Sequence, residues 1–345
     1  MTHRAADLEL VRGARPGPHW RRLHARCGGG FAGADVWTAT LCASLPRRAG
    51  AWATATAAGE AVGGLAWLET ARGPFRTLEA HHAGLPCDLL LDPALDPARR
   101  RAALAALLDA WTAAARSPLT LAATLHAEGP TGDEVAAPLS ASGFRRTAVP
   151  VAYFPLAEGL DHVEAHLLKK NRRNERNRSL RRGCATQVTS DPAVIDEFLP
   201  IYAAAIRRWG SRPIPSDLLR GLLAGGGGDV YCTTVRRDGA LLGAHLCLQA
   251  GSTVTAWVGA TVDSSGDSSG DSTDDVFPAT MLVWADLVEA CRRGALRLDL
   301  GGHGGQRGVA QFKELLGALT LERAMWRRTS RLGAAALAMR RGGGR

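Results

Sequence analysis

The sequence predicts an α/β (α+β) fold with two similar domains, each a mixed twisted sheet flanked by helices. The length of 345 residues exceeds that of one ordinary compact core, which favours two domains. A hydrophobic content of 46% and a charged content of 22% are typical of a folded globular protein. One order of elements (hairpin, helix, strand, helix, strand) occurs twice, offset by about 180 residues, which indicates a duplication. We therefore expect domains at residues 1–155 and 156–330.

Hydrophobic patterning defines the elements of the first domain. Residues 51–56 and 63–68 flank a turn at Gly59 and predict a β-hairpin. A long amphipathic helix is predicted from Pro97 to about Ala115. The later elements are a strand at 119–125, a helix at 136–142 and a strand after Phe144.

The second domain repeats this order. Its hairpin strands, 229–235 and 243–248, are joined by Asp238 and Gly239, a pair typical of type I′ turns. The remaining predicted elements are a strand at 257–258, a helix at 278–293, a strand at 296–300, a helix at 309–316 and a strand at 319–326.

A basic helix is predicted at residues 162–183, before the second hairpin. Asp161 and Glu164 have the spacing of a capping box, and Gly183 is a typical helix end. Between residues 169 and 182, eight cations stand against one anion, Glu175, in a chain of net charge +9. This concentration indicates an exposed face that binds a phosphate-bearing partner, with a merely solvated face as the alternative. A further helix is predicted at 196–209.

Two segments are predicted to lack regular structure. Residues 263–275 are acidic and of low complexity, and we interpret them as a disordered loop. Their aspartates recur every four residues without the bidentate glutamate of a calcium loop, so no metal site is predicted. Residues 331–345 are expected to form a flexible tail.

Targeting signals are not evident in the sequence. The N-terminal residues lack the apolar core of a signal peptide, and no apolar stretch is long enough to span a bilayer. The seven cysteines show no metal-ligand spacing. These features predict a cytoplasmic protein with reduced thiols and no membrane insertion.

Lysine is scarce in this chain, because only three of its 42 basic residues are lysines. Lys169 and Lys170 lie in the predicted basic helix, and Lys313 lies in the predicted helix 309–316. Unless this distribution is chance, it indicates places where a compact ammonium cannot be replaced by a planar guanidinium.

A glycine-rich loop, residues 301–308, connects the strand 296–300 to the helix 309–316. A strand, a glycine loop and a helix in this order present free backbone N–H groups at the positive end of a helix dipole. The loop therefore favours binding of a phosphate or another oxyanion, with a mobile connector as the alternative. Neither a Walker motif nor a G-x-G-x-x-G sequence follows the strand.

These motifs, taken in order, resemble the FemABX-like and BioF2-like branch of the GNAT (Gcn5-related N-acetyltransferase) superfamily. The resemblance covers about half of the chain, from residue 160 to 325. Its segments are the basic helix from Leu168 to Gly183, the Tyr-bearing helix from Tyr202 to Gly210, the strand at Trp257, and the run from Leu298 through Gly308, Phe312 and Lys313 to Gly317. Two departures are the acidic insertion and the missing helical arm of peptidoglycan enzymes that use aminoacyl-tRNA. The acetyl-CoA loop of typical members is only approximated by residues 305–310.

The resemblance implies a bacterial-type acyltransferase (EC 2.3 class) with tandem GNAT-like domains. It would move an acyl group from a phosphate-bearing donor to a small-molecule amine acceptor. Acyl-CoA is the expected cosubstrate, aminoacyl-tRNA is the alternative, and no tightly bound cofactor is expected. The candidates for donor binding are Lys169, Arg172, Arg173, Gly301, Gly302, His303, Gln306, Gly308 and Phe312.

Three residues are candidates for the chemistry. Lys313 either places its charge against a phosphate or a developing oxyanion, or is a solvated lysine. Asp299 either accepts a proton from the attacking amine or caps a turn. His245 either acts as a base or is a core histidine, and His303 is either a ligand residue or a bystander in its loop.

Two other functions remain open at this point. The first is a FemABX-like peptidyltransferase that uses aminoacyl-tRNA, with tRNA as its partner. The second is a non-catalytic protein that binds RNA or phosphate through the arginine-rich helix.

Overall fold

The computed structural model describes residues 8–17, 19–80, 84–86, 89–127, 129–262 and 276–335. The acidic segment 263–275 and the last ten residues of the predicted tail, 336–345, lie outside these ranges, whereas residues 331–335 are helical. Contacts between residues divide the chain into two compact units. Unit 1 comprises residues 1–149 and 322–345, and unit 2 comprises residues 150–321.

Unit 1 contains a mixed sheet flanked by helices. Its strands are β1 (Leu8–Gly13), β2 (Arg48–Ala57), β3 (Glu60–Arg72), β4 (Phe75–Ala80), β5 (Leu89–Leu91) and β6 (Thr120–Ala127). Its helices are α1 (Trp20–Arg26), α2 (Asp35–Ser44), α3 (Pro97–Arg116), α4 (Gly129–Glu134) and α5 (Ala136–Ala141), with a 3₁₀ turn at Phe31–Gly33.

Unit 2 contains the elements from the second half of β7 (Arg145–Pro155) onward. The helices are α6 (Gly159–His162), α7 (Lys170–Arg181), α8 (Val194–Trp209), α9 (Ser216–Gly225), α10 (Pro278–Arg292) and α11 (Arg307–Leu316). The strands are β8 (Cys184–Thr189), β9 (Val230–Arg237), β10 (Ala240–Ala250), β11 (Thr253–Thr261) and β12 (Arg297–Gly302). A π-helical turn, Val163–Leu167, follows α6, and a 3₁₀ turn, Gly227–Asp229, precedes β9.

The two units have the same strand order. In unit 1 it is β1-β2-β3-β4-β6, closed by β13 (Leu319–Thr329), and in unit 2 it is β8-β9-β10-β11-β12, closed by β7. One neighbouring pair in each sheet is parallel, β4–β6 and β11–β12, and the crossover contains a long helix, as parallel pairing requires. The remaining neighbours, including β6–β13 and β12–β7, are antiparallel.

This order confirms the predicted α/β architecture of mixed sheets flanked by helices. It also shows where the last strand of each half lies. Residues Ala324–Thr329 of β13 pair with β6 in unit 1, and β7 pairs with β12 in unit 2. The predicted domains, 1–155 and 156–330, follow the repeated order of elements, whereas the two units are defined by contacts. The segment 322–330 falls in unit 1 by contacts. The predicted domain limits therefore stay a prediction.

Each unit has its own hydrophobic core between the long helix and the sheet. In unit 1, Trp111 of α3 is fully buried and packs edge-on against Trp67 of β3, with ring centroids 5.8 Å apart. In unit 2, Val283 and Leu287 of α10 belong to a buried cluster that includes Leu298 of β12. The long helices therefore hold their sheets by burying an apolar face.

The hairpin turns follow the predicted chemistry. Asp238 and Gly239 have φ values of 51° and 81°, which are those of a type I′ turn. Ala58 and Gly59 have φ values of 49° and 80°, so the same turn joins β2 to β3. The strand that follows each turn contains a β-bulge. The bulged residue is Val62 in β3 and Leu242 in β10.

The basic helix begins later than predicted. It starts at Lys170, because Leu168 and Lys169 are extended, with ψ values of 119° and 145°. The N–H of Leu168 donates to the carbonyl of Val163 (2.8 Å), which closes the π turn before α7. The predicted capping box is also wrong, since the helix before α7 is capped at Glu158 without a side-chain bond. Glu164 instead accepts a hydrogen bond from Arg176 (2.6 Å).

Candidate active site

A cavity of about 400 Å3 opens in unit 2 where β11 and β12 separate. The two strands pair in parallel only from Thr253–Thr255 with Arg297–Asp299, although β11 continues to Thr261. On its other side β11 stays paired with β10 as far as Thr261. Residues 256–261 of β11 lie beyond the end of this pairing and form part of the cavity wall.

Apolar side chains form most of the cavity wall. They are Ile206, Trp209 and Ile214 from α8 and the loop after it, Trp257 and Val258 from β11, Val283 from α10, Leu300 from β12, and Val309 and Phe312 from α11. The polar side chains on the wall are Tyr202, Arg208, Ser211, Thr261, His245, His303, Gln306 and Lys313. An apolar cleft with a few convergent polar groups is the usual form of a small-molecule site.

His245 is the polar residue with the most defined geometry in this cavity. It lies on β10, and its side chain is 18% exposed. Its Nδ1 is 2.5 Å from Oδ2 of Asp286 on α10, a carboxylate that is fully buried. This bond orients the imidazole and leaves Nε2 as the nitrogen that can exchange a proton with a ligand.

Asp286 is held by further bonds on its other oxygen. Thr233 Oγ1 donates to Oδ1 (2.5 Å), and the thiol of Cys247 donates to the same atom (3.3 Å). Burial, reinforced by the charge of Asp286, raises the pKa of the Cys247 thiol well above its usual range. The thiol therefore stays protonated and serves as a donor to the carboxylate.

The strand beside β10 makes room for the imidazole. Gly259 of β11 lies opposite His245 in the strand register. A Cβ atom at position 259 would overlap the imidazole ring at Cδ2 and Nε2. Glycine is needed there because the backbone passes directly against the histidine.

Unit 1 shows that the fold does not require a polar residue at this place. Counted from the turn and the bulge that both hairpins share, the residue of β3 that corresponds to His245 is Leu65. Leu65 is fully buried in the core of unit 1. A buried polar pair costs stability relative to an apolar core, so the pair at His245 is better explained by function than by folding.

Lys313 holds the end of β12. It projects from α11, and its ammonium donates to three successive carbonyls, those of Leu300 (2.6 Å), Gly301 (3.0 Å) and Gly302 (2.9 Å). Burial lowers the pKa of Lys313 to about 8, and the charge of Asp299 partly opposes this effect. The three hydrogens are engaged with backbone, so in this structure the lysine positions the cavity wall rather than reaching out to a phosphate.

Asp299 caps the same strand end. Its side chain is buried, at 2% exposure for the residue, and Oδ1 accepts a hydrogen bond from the N–H of Gly301 (2.6 Å). Gly301 has a φ of 69°, which favours glycine at this turn. Of the two expected roles, turn capping is the one that the geometry displays.

The glycine loop contributes to the cavity through Gly302, His303, Gly304 and Gln306. The N–H of Gly305 donates to His303 Nδ1 (3.1 Å), and Gln306 Nε2 donates to the carbonyl of Trp209 (2.9 Å). The second bond fixes the loop to the end of α8. Gly301 and Gly308 are not part of the lining, and Gly308 lies in the first turn of α11, where backbone N–H groups have no partner within the helix.

The candidate cations of the basic helix do not line the cavity. Arg172 bonds to Glu175 (2.8 Å) and lies 5.7 Å from the ring of Phe312, which is itself in the lining. Arg173 donates to the carbonyl of Glu164 (3.0 Å). The prediction of an exposed basic face is therefore wrong for Arg172 and Arg173, which are half-buried and bonded to neighbouring residues. The exposed cations of the segment are Lys169, Lys170, Arg178, Arg181 and Arg182.

The sequence did not identify the groups that support His245. Asp286 and Thr233 come from a helix and a strand distant in sequence, and only the structure joins them. Asp286 did carry a signal, because it is a single carboxylate within the apolar run 281–288. Tyr202 also belongs to the lining, where its hydroxyl accepts a hydrogen bond from the N–H of Ile214 (3.0 Å).

Among the residues that the structure describes, no three His, Cys, Asp or Glu side chains are grouped as ligands of a metal ion. No helix in the described part of the chain has the length and hydropathy needed to cross a bilayer.

Comparisons with known proteins agree on the fold. The acetyltransferase (GNAT) domain family matches residues 166–314. The crystal structure of FemX has a TM-score of 0.71 at 15% identity, covering 92% of this chain and 97% of FemX. A tandem GNAT protein from the clavulanic acid biosynthesis pathway has a TM-score of 0.53 at 17% identity, covering 94% and 98%. L-PGS from Bacillus licheniformis has a TM-score of 0.55 at 12% identity, covering 96% and 98%. The search of curated proteins found no significant match.

Proposed function

We propose that this chain is an N-acyltransferase, because residues 166–314 match the acetyltransferase (GNAT) domain family and the fold is similar to that of FemX. In the proposed reaction an acyl group passes from acyl-CoA to an amine. The observation that carries the proposal is the His245–Asp286 pair, which faces the cavity between the separating strands β11 and β12.

The donor is proposed to lie along the part of β11 beyond its pairing with β12. Residues 258–261 belong to the cavity wall there, and the backbone of an extended strand suits the amides of the pantetheine arm of CoA. The glycine loop and the first turn of α11 offer N–H groups at the positive end of a helix, which suit the pyrophosphate. Gly301, Gly302, His303, Gln306 and Gly308 keep their proposed donor-binding roles on this basis.

The proton acceptor is proposed to be His245. The amine nitrogen attacks the thioester carbon, the N–C bond forms, and the C–S bond breaks. The proton lost by the nitrogen passes to Nε2 of His245 and then to the departing thiolate. Asp286 stabilises the imidazolium that forms between these steps and keeps the ring in the required tautomer. Lys313 and Asp299 act by positioning the strand end that borders the cavity.

The test combines binding with turnover. We expect CoA and acetyl-CoA to bind in calorimetry, and acetyl-CoA to release free thiol when a panel of primary amines is added. His245→Gln should bind acetyl-CoA within about threefold of the original protein and lose at least about 100-fold in kcat. His166→Gln, which alters an exposed imidazole outside the cavity lining, is the matched control. Full turnover in His245→Gln would remove the proposed base.

Aminoacyl-tRNA is a second candidate donor, favoured by the exposed cations Lys169, Lys170, Arg178, Arg181 and Arg182. A tRNA contact through several of these side chains would give steeply salt-dependent binding, unlike CoA. Transfer from a charged tRNA, with no thiol release from acetyl-CoA, would select this donor. Tight RNA binding without transfer from either donor would favour the non-catalytic alternative.

A further inference from the structure

Apart from Tyr202, the ionisable side chains on the described cavity wall are basic. Arg208 comes from α8, His245 from β10, His303 from the glycine loop and Lys313 from α11. Tyr202 is neutral, and burial raises its pKa further. Among the described residues of the lining there is no Asp or Glu.

Two carboxylates that interact with these groups, Asp286 with His245 and Asp299 with Lys313, are buried and are not part of the lining. Asp286 is 0% exposed and is bonded to His245 and Thr233. Asp299 is 2% exposed and is bonded to the N–H of Gly301. Within the lining that the structure describes, a protonated amine therefore meets no carboxylate and meets the charge of Lys313, so its ammonium form is disfavoured.

An acceptor must consequently enter as the free base, and amines differ greatly in how much free base they supply. An α-amino group, with a pKa of about 7.7–8.0, is roughly 10–20% neutral at pH 7. A lysine-type amine, with a pKa of about 10.4, is roughly 0.04% neutral at the same pH. The difference in reactive concentration is roughly 200- to 400-fold.

From this lining we infer that the acceptor is an amine of low basicity of the α-amino class, such as the N-terminus of a peptide or the amine of an amino acid amide. Lysine side chains and polyamines are poor acceptors by the same argument. The inference rests on the proposed acyl transfer and specifies its substrate class. Attack by the neutral nitrogen needs only one proton to be removed, and His245 receives it as described above.

Two isomeric probes test the inference with acetyl-CoA as donor. Nε-acetyl-lysine amide offers only its α-amine, and Nα-acetyl-lysine amide offers only its ε-amine. At pH 7 we expect kcat/KM to be at least about 50-fold higher for the α-amine, part of the difference in free base being offset by the greater nucleophilicity of the ε-amine. Between pH 7 and 9 the value for the ε-amine should rise about tenfold per pH unit, while that for the α-amine levels off near pH 8.

A variant of the cavity provides a second measurement. Thr261→Asp adds a carboxylate to the lining, and Thr261→Asn is its uncharged control. We expect the aspartate variant to reduce the preference for the α-amine at least fivefold, and the asparagine variant to leave it unchanged.

The outcomes separate this inference from the proposed function. Equal or faster turnover of the ε-amine at pH 7 would overturn the inference while acyl transfer stands. Absence of thiol release with both probes and with the wider amine panel, at pH 7 and at pH 9, would overturn acyl transfer and the inference with it.

Discussion

Asp286 determines how His245 can act, because a buried carboxylate is the only partner bonded to Nδ1 in the described structure. Three donors converge on it, from His245, Thr233 and Cys247. An asparagine of the same size would offer one oxygen in place of two and would no longer stabilise an imidazolium.

We therefore predict that Asp286→Asn lowers kcat by at least about 100-fold with little change in KM for acetyl-CoA. Its pH–rate profile should also change, because the imidazole loses the carboxylate that stabilises its charged form, and a purely structural role would not produce this change. Thr233→Val should have a smaller effect, about tenfold, because it removes one of three bonds. Wild-type pH dependence in Asp286→Asn, with the fold checked by circular dichroism, would contradict the assigned role.

Lys313 supports a second prediction, which concerns the shape of its head group. Three carbonyls converge on one ammonium, and a planar guanidinium cannot donate to all three in this geometry. We expect Lys313→Arg to lower kcat/KM by tenfold or more, about 1.4 kcal/mol, and nearly as much as Lys313→Ala. Steady-state kinetics with acetyl-CoA is the measurement, and near-normal activity of the arginine variant would refute it.

The depressed pKa of Lys313 gives a prediction for stability against pH. The group has a pKa of about 8 in the folded protein and an ordinary value of 10.5 when unfolded. Between these values the unfolded chain binds more protons, so the contribution of Lys313 to stability rises with pH from about 8 to 10.5. The unfolding free energy of the original protein minus that of Lys313→Met should increase across this range in urea titrations. A flat or falling difference would show that burial does not depress this pKa.

At the residue scale, the sequence indicated candidate site residues whose residue type is rare in the chain or uncommon at their position. Lys313 was identified by the scarcity of lysine, and His245 by its position in an apolar strand. Asp286 and Gly259 could not be assigned to the site, because their roles depend on contacts between elements that no local pattern encodes. His245 and Asp286 are brought together by packing α10 onto β10.

At the scale of elements, the charge pattern of α7 predicted an exposed basic face, but several of its cations have partners on neighbouring residues. Arg172 is bonded to Glu175, whose carboxylate also accepts from Thr280 of α10 (2.7 Å), and Arg176 lies 4.1 Å from the ring of Trp284. Through these contacts the two arginines stabilise the packing of α7 against α10, and their side chains do not face solvent. Periodicity identified the helix, but it could not tell which of its cations had partners on a neighbouring element.

We accordingly predict different results for the two kinds of arginine. Arg172→Glu places two carboxylates together in a half-buried site and should lower stability by about 1–3 kcal/mol. Arg181→Glu, at an exposed position of the same helix, should change stability by less than about 0.5 kcal/mol. Thermal and urea denaturation measure both. Equal stability of the two variants would contradict a structural role of Arg172 and would favour a solvated basic face.

The two hairpins and the two long helices were the most predictable elements. Both hairpins and both long helices occur where alternation and turn residues indicated them. The elements before residue 45, together with β4, β5, β8 and α9, were not predicted, because they are short or have weak periodicity. The basic helix was predicted to start too early because the basic residues begin at Lys169. The backbone of Lys169 is extended, so the helix starts only after it.

At the scale of the whole molecule, two similar sheets were predictable from the repeated order of elements, but their closing strands were not. Trp326 of β13 is 3% exposed and belongs to the core of unit 1, although it lies near the end of the chain. Pairing between strands about 200 residues apart leaves no local signal in the sequence.

This placement gives a prediction that separates the two units. Trp326→Ala should destabilise unit 1 by about 3–5 kcal/mol, as expected for loss of a large buried side chain. Leu319→Ala, at a 40% exposed position of the same strand, should cost less than about 1 kcal/mol. Denaturation followed by tryptophan fluorescence and calorimetric binding of acetyl-CoA are the measurements. The affinity should stay within about threefold in both folded variants, since neither residue lines the cavity.

Because the part of β13 that belongs to unit 1 follows unit 2 in the sequence, unit 1 remains incomplete while unit 2 is made. Roughly 170 residues separate the end of its first segment, Val149, from Glu322, and at about 5–20 residues per second they take roughly 10 to 35 s to synthesise. During that interval β6 has an unpaired edge where Ala324–Thr329 later bind. An open edge of this kind can pair with another nascent chain, so translation speed and chaperone supply should influence the yield of native protein.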